Sequence, residues 1–99
     1  MPDTYWPWVL VTPWGRIVPK THGPNEATYA DIPVGPLAAQ LTITVARHGS
    51  SWWWHSRDGS YAGTGFATPK AALMAICVMV TRVFGASCAV DRDDITKGR

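Results

Sequence analysis

Metal-ligand spacing is missing from this sequence. Its three histidines, His22, His48 and His55, make no His-x-His or His-x-x-x-His pair, and its two cysteines, Cys77 and Cys88, make no Cys-x-x-Cys pair. Structural zinc sites are usually built on such spacings, so nothing here points to a metal. Two cysteines are also too few for a disulfide scaffold in a small domain. Cys77 lies among apolar residues, where a reduced thiol acts as a small core hydrophobe. Nothing around Cys88 suggests an activated thiolate or an oxyanion hole. Gly59, Gly63 and Gly65 belong to a hairpin and its following strand, not to the strand-to-helix turn of a dinucleotide fingerprint. The expectation is a protein with no catalytic residue, no metal and no cofactor.

Charge is scarce as well. Charged residues make up 16% of the chain, the formal net charge is +2 and the sequence pI is about 8.7. A dedicated nucleic-acid binder usually clusters Lys and Arg and is more basic. Long apolar runs are absent. The longest, Ala71 to Val80, falls well short of the roughly 20 residues that span a bilayer. The start, MPDTYWPWVLV, lacks the basic n-region and the clean apolar h-region of a signal peptide. These absences lead us to expect no membrane contact and a cytoplasmic protein, in the host cytoplasm if the chain is phage-encoded.

What the chain has in excess is tryptophan, six in 99 residues. A core this small hides only some of these rings. Trp is enriched at interfaces, so the others call for a partner.

The length allows one domain, which we place over residues 1–90, with a charged flexible tail at 91–99. Trp6 to Lys20 reads as a hairpin, turning at Thr12-Pro13-Trp14-Gly15 and held at a sheet edge by its prolines. Residues 21–36 carry Gly23, Pro24, Pro33, Gly35 and Pro36 and read as a loop, with Tyr29, Ile32 and Val34 as apolar pegs. Residues 41–84 form a β-β-β-α unit. Leu41, Ile43 and Val45 alternate with Thr42, Thr44 and Ala46. Trp52 to Ser56 follows as a middle strand. Asp58-Gly59 reads as a two-residue type I′ turn. It sets Ser56 opposite Tyr61, Trp54 opposite Gly63 and Trp52 opposite Gly65. Thr68 caps a helix, Pro69 opens it and Gly85 follows it. The fold class is therefore α+β: an antiparallel sheet of about five strands, the N-terminal hairpin plus a three-stranded meander, packed on one apolar C-terminal helix.

The order of an Arg- and Trp-bearing strand, a turn, a Gly-containing strand and a helix is similar to that of AP2 and integrase arm-binding DNA modules. The likeness covers Leu41 to Phe84. In those modules the free sheet face enters the major groove, which implies a nucleic-acid partner; only Arg57 and Arg47 are available for that face here. In general character the chain also resembles the small proteins of phages and mobile elements, anti-CRISPR proteins among them. That likeness implies an inhibitor that occludes a host protein or ribonucleoprotein complex.

The register between Leu41 and Ser56 decides which residues are free. An even loop after Arg47 turns Trp52 and Trp54 to the core and leaves Thr44, Trp53, His55, Arg57 and Thr64 on the other face. An odd loop inverts the set. We prefer the even loop because it buries two tryptophans and exposes one. An indole, an imidazole and a guanidinium in one row can stack on bases, clamp an anion or seat a partner side chain. These five residues, with Trp14 on the hairpin, are the expected partner-binding set. On the helix, Leu73, Ile76, Val80 and Val83 form the expected packing stripe. Met74, Val78 and Met79 lie off it, apolar where a surface helix should be polar. Either the hairpin and the 21–36 segment cover them, or they form a self-association surface for a homodimer.

Overall fold

A computed structural model describes residues 6–34 and 40–92. The chain forms β1 (Trp8–Thr12), β2 (Gly15–Ile17), β3 (Thr21–His22), β4 (Glu26–Pro33), β5 (Gln40–His48), β6 (Ser51–Ser56), β7 (Ala62–Phe66), α1 (Pro69–Phe84) and β8 (Ala89–Arg92). The expected α+β class, with antiparallel strands and a C-terminal helix, is what is observed. The distribution of strands differs from the expected one. A five-stranded sheet runs β3-β4-β5-β6-β7, and a separate three-stranded sheet runs β2-β1-β8.

The N-terminal hairpin is therefore not part of the larger sheet. It pairs with β8, Trp8 opposite Arg92 and Leu10 opposite Val90. Its turn is two residues long, Thr12 pairing with Gly15, and the Thr12 hydroxyl bonds to the Gly15 carbonyl and the Trp14 amide. Asp91 and Arg92, expected in the tail, lie in β8; the remainder of that tail, 93–99, is outside the described residues.

The segment expected to be a loop holds β3 and the eight-residue β4. Its Gly35 and Pro36 lie outside the described residues. A bulge explains why β4 does not read as a strand. Tyr29 pairs with Ile43 and Ile32 with Leu41, so Ala30 and Asp31 together oppose Thr42. Asp31 takes a left-handed conformation, φ 58°, and its amide donates to the Thr42 hydroxyl. One extra residue shifts the alternation and returns Ile32 to the face of Tyr29. Both side chains are fully buried.

The core lies between the larger sheet and α1. Tyr29, Ile43, Val45, Trp52 and Trp54 face Leu73, Ile76 and Val80 across it. Val83, expected in this stripe, is half exposed; Ala72 and Cys77 are buried instead. Thr68 accepts from the Ala71 amide, and Gly85 closes the helix in the left-handed conformation, its N–H donating to the Thr81 carbonyl. The outer face of α1 is covered neither by the hairpin nor by β4. Met74 and Val78 are exposed, whereas Met79 packs partly against the core.

One hydroxyl ties the two sheets together. Tyr29 Oη accepts from the Trp6 indole N–H at 2.7 Å and donates to the Trp8 carbonyl at 2.7 Å. Burial pushes the phenol well above its ordinary pKa, so the group stays neutral and can donate. Trp6 in turn packs on Trp52, with ring centroids 5.8 Å apart.

Two substitutions test this packing. Tyr29→Phe leaves the Trp6 N–H and the Trp8 carbonyl without their buried partner, and should cost about 1–3 kcal/mol in denaturant unfolding. Gly63→Ala tests a close approach. A methyl group there would lie 2.5 Å from Trp54 Nε1 and 2.9 Å from Cε2. The indole is packed in the core and has little room to retreat, so the variant should lose roughly 1–3 kcal/mol by the same assay.

Candidate functional site

The β5–β6 turn has an even loop. Arg47 pairs with Trp52 and His48 with Ser51, leaving Gly49 and Ser50 as the loop residues. Trp54 pairs with Val45 and Trp53 with Ala46. Trp52 and Trp54 are accordingly buried and Trp53 is only half-buried. The expected two-against-one partition of these rings is realised.

The turn after β6 differs in detail. Ser56 N–H donates to the Tyr61 carbonyl as expected, but the reversal is closed by Gly59 N–H donating to the Ser56 carbonyl. Gly59 has φ 78°, whereas Asp58 is not left-handed, so the turn is not type I′. A hydrogen-bonded bracket replaces that geometry. Ser56 Oγ donates to Asp58 Oδ1 at 2.8 Å, the Ser60 amide donates to the same oxygen at 3.0 Å, and the Tyr61 amide donates to Ser56 Oγ at 3.1 Å. Beyond it, Trp54 pairs with Gly63 as expected, but Trp52 pairs with Phe66 rather than Gly65. A bulge at Thr64-Gly65, with Gly65 at φ 86°, absorbs the extra residue.

The sheet face away from α1 carries the candidate site. Trp53 and His55 stack with centroids 4.7 Å apart and planes 16° from parallel. His55 stands opposite Thr44 on β5, and the Thr44 hydroxyl shares a 3.1 Å hydrogen bond with Thr28 on β4. His55 is the hinge of two shallow concavities. One, of about 450 Å³, lies over Trp53, His55, Ala62 and Thr64. The other, of about 370 Å³, runs past Thr28, Thr42 and Thr44 to Lys20, Asp31 and Arg57. Among the described residues, two buried ring nitrogens have no hydrogen-bond partner: Trp54 Nε1, on the core side, and His55 Nδ1, in the stacked pair.

The structure thus brings Thr44, Trp53, His55, Arg57 and Thr64 onto one face. It does not bring Trp14 to them. That ring is exposed at the tip of the β1–β2 turn, in the other sheet. Sequence reasoning missed Thr28 and Asp31, because residues 21–36 read as a loop, and Lys20, because it read as the end of an edge hairpin rather than a neighbour of this face. The alternation of Ala27 and Tyr29 with Thr28 and Ala30 was the available signal, cut short by the bulge at Asp31.

Among the described residues no three His, Cys, Asp or Glu side chains are grouped to hold a metal ion, and no helix is long and apolar enough to cross a membrane. The face offers stacking surface, hydroxyl groups and two cations, Lys20 and Arg57, beside one carboxylate, Asp31.

The Asp58 bracket has a pH signature. The Ser60 amide foremost, with the Ser56 hydroxyl, holds the carboxyl below its ordinary pKa. A depressed folded-state value means that the stabilisation is complete above the unfolded pKa, near about 3.9, and is lost as pH falls through the folded value. Asp58→Ala should therefore lower the melting temperature at neutral pH. The gap from the wild-type chain should narrow in melts taken at progressively lower pH below about 3.9.

The chain matches no protein-family model, no curated protein and no solved structure.

Proposed function

We propose that this chain is a non-enzymatic binding protein whose free sheet face seats a protein or ribonucleoprotein partner. It would act as a small phage-type inhibitor does, by occluding a host macromolecular complex. The observation that carries the reading is the Trp53–His55 stack, half-buried and uncovered on a face whose other side is fixed to α1. Stacking on His55 orders the indole before any partner arrives. Little side-chain entropy is then lost on binding, and a pre-ordered, partly exposed Trp is the residue type that dominates interface energetics. Thr28, Thr42 and Thr44 line the concavity on the His55 side of the stack with hydroxyl groups able to pair with a partner's backbone.

A nucleic-acid partner is the second reading. It is supported by the stack together with Lys20 and Arg57 on the same face, a combination that can hold a base and a phosphate. The modest charge favours the protein partner, because phosphate-driven binding needs more cations than this face supplies.

Affinity capture from a host lysate separates the two. The first reading expects a stoichiometric protein or ribonucleoprotein that stays bound as salt is raised. Recovery of nucleic acid alone, with affinity falling steeply in salt, would reject it in favour of the second. In either case Trp53→Ala should keep a cooperative melt and weaken partner binding roughly tenfold or more, since truncating a central aromatic typically costs about 2 kcal/mol. Retained binding would show that the partner sits elsewhere.

A further inference from the structure

After α1 the chain doubles back along the helix. Gly85 reverses it, and the Thr81 hydroxyl fixes the return, lying 2.9 Å from the Cys77 carbonyl and 3.2 Å from the Ala86 carbonyl. Ala86 is buried, and β8 is then held by its ladder to β1. None of these contacts uses a thiol. Together they deliver Cys88 to Cys77, and the two sulfur atoms stand 2.9 Å apart as free thiols. The pair lines an apolar groove of about 600 Å³ between α1 and β8, with Lys70, Met74, Val78 and Val90 on its walls.

We propose that Cys77 and Cys88 are a redox-active pair that closes to an intramolecular disulfide by exchange with a low-molecular-weight disulfide such as oxidised glutathione, fastening β8 to α1. The inference is independent of the sheet-face reading. A disulfide needs its sulfur atoms about 2.05 Å apart, so closure asks for a movement of less than about 1 Å. The backbone that sets the approach is already fixed on both sides by Gly85, Thr81, Ala86 and the β1–β8 ladder.

The order of attack follows from the surroundings. Cys88 is the more exposed thiol, opens on the groove, and shares with Cys77 a hydrogen bond that favours its thiolate. Cys77 is buried, and the shared hydrogen bond together with desolvation pushes its thiol pKa up. The Cys88 thiolate attacks one sulfur of oxidised glutathione. A protein–glutathione disulfide forms, the glutathione disulfide breaks, and one glutathione thiolate leaves. Cys77 then gives up its proton and attacks Cys88 Sγ, displacing the second glutathione thiolate. The two protein thiols lose two electrons and two protons. Glutathione disulfide gains both and becomes two glutathione thiols.

The consequence is mechanical. β8 is an edge strand of only four residues, bonded on one side to β1. A covalent link at Cys88 removes the freedom of the return segment to lift from α1, and keeps the wall of the groove in place.

The test uses the full chain, reduced, desalted and exposed to oxidised glutathione near neutral pH. The two titratable thiols should fall to none, with the mass reduced by two hydrogens and no glutathionyl group retained. The oxidised chain should melt higher than the reduced one, by on the order of 10 °C. Cys77→Ala removes the resolving thiol without burying a hydroxyl, and should trap one glutathionyl group on Cys88. Cys88→Ser should leave Cys77 unmodified. Two persistent thiols, or a glutathionyl group retained on the wild-type chain, would overturn the proposal. So would a disulfide that leaves the melt unchanged.

Discussion

The hydroxyl of Tyr29 is the point on which the two sheets meet. It sits at full burial, one lone pair taken by the Trp6 indole and its proton given to the Trp8 carbonyl. A buried phenol is tolerable only with its hydrogen bonds made, and a β1 carbonyl bonded to it is fixed relative to β4. The larger sheet closes its core on α1, and Trp6 and Leu10 from the N-terminal segment are buried in that same core. The smaller sheet has no comparable helix of its own. It relies on what it can attach to: Tyr29 through Trp6 and Trp8, and α1 through Lys70, whose ammonium lies 5.7 Å from the Trp8 ring centre. Arg92 lies over the same ring from the paired strand, and Arg16 bridges to Asp91 at 2.9 Å. The exposed ion pair adds little by itself. The buried hydroxyl and the indole are the stronger joint.

The candidate site depends on the opposite side of the same sheet. Each residue of β6 serves one face only. Trp52, Trp54 and Ser56 are committed inward, and Trp53 and His55 are left outward. Trp54 can lie flat against β7 because Gly63 offers no Cβ, and that approach fixes the relation of β6 to β7. The Ser56–Asp58 bracket fixes the end of the strand and holds Arg57 beside the threonine-lined concavity. A rigid inner face thus gives the outer one a defined shape, as a binding surface requires.

Helix α1 couples the two sheets from its other end. Its inner stripe packs on the large sheet, and its C-terminal return supplies β8 to the small one. The return is anchored by a left-handed Gly85 and by a threonine hydroxyl that bridges two turns of backbone. Met74 and Val78 remain in water beside the groove that this return creates.

Local signals settled much of this. The alternation in β5, the capping Thr68, the opening Pro69 and the closing Gly85 each act through near neighbours, so the meander and helix were legible without the fold. The two-against-one split of the β6 tryptophans was legible too, because burying two indoles in a small core outweighs burying one. Non-local pairings were not. The Asp31 bulge broke the period of two, and only pairing with β5 shows that Glu26–Pro33 is a strand. Val83 is half exposed because the buried stripe runs on from Val80 to Phe84, which packs on Tyr61 and the core. Ala89–Arg92, of which Asp91 and Arg92 read as tail, became β8 because β1 had an unpaired edge to offer. The same pairing set Cys88 against Cys77. Sequence placed these thiols eleven residues apart; tertiary structure placed them 2.9 Å apart, because a helix end, a hydroxyl clamp and a strand pairing act together on one short return of chain.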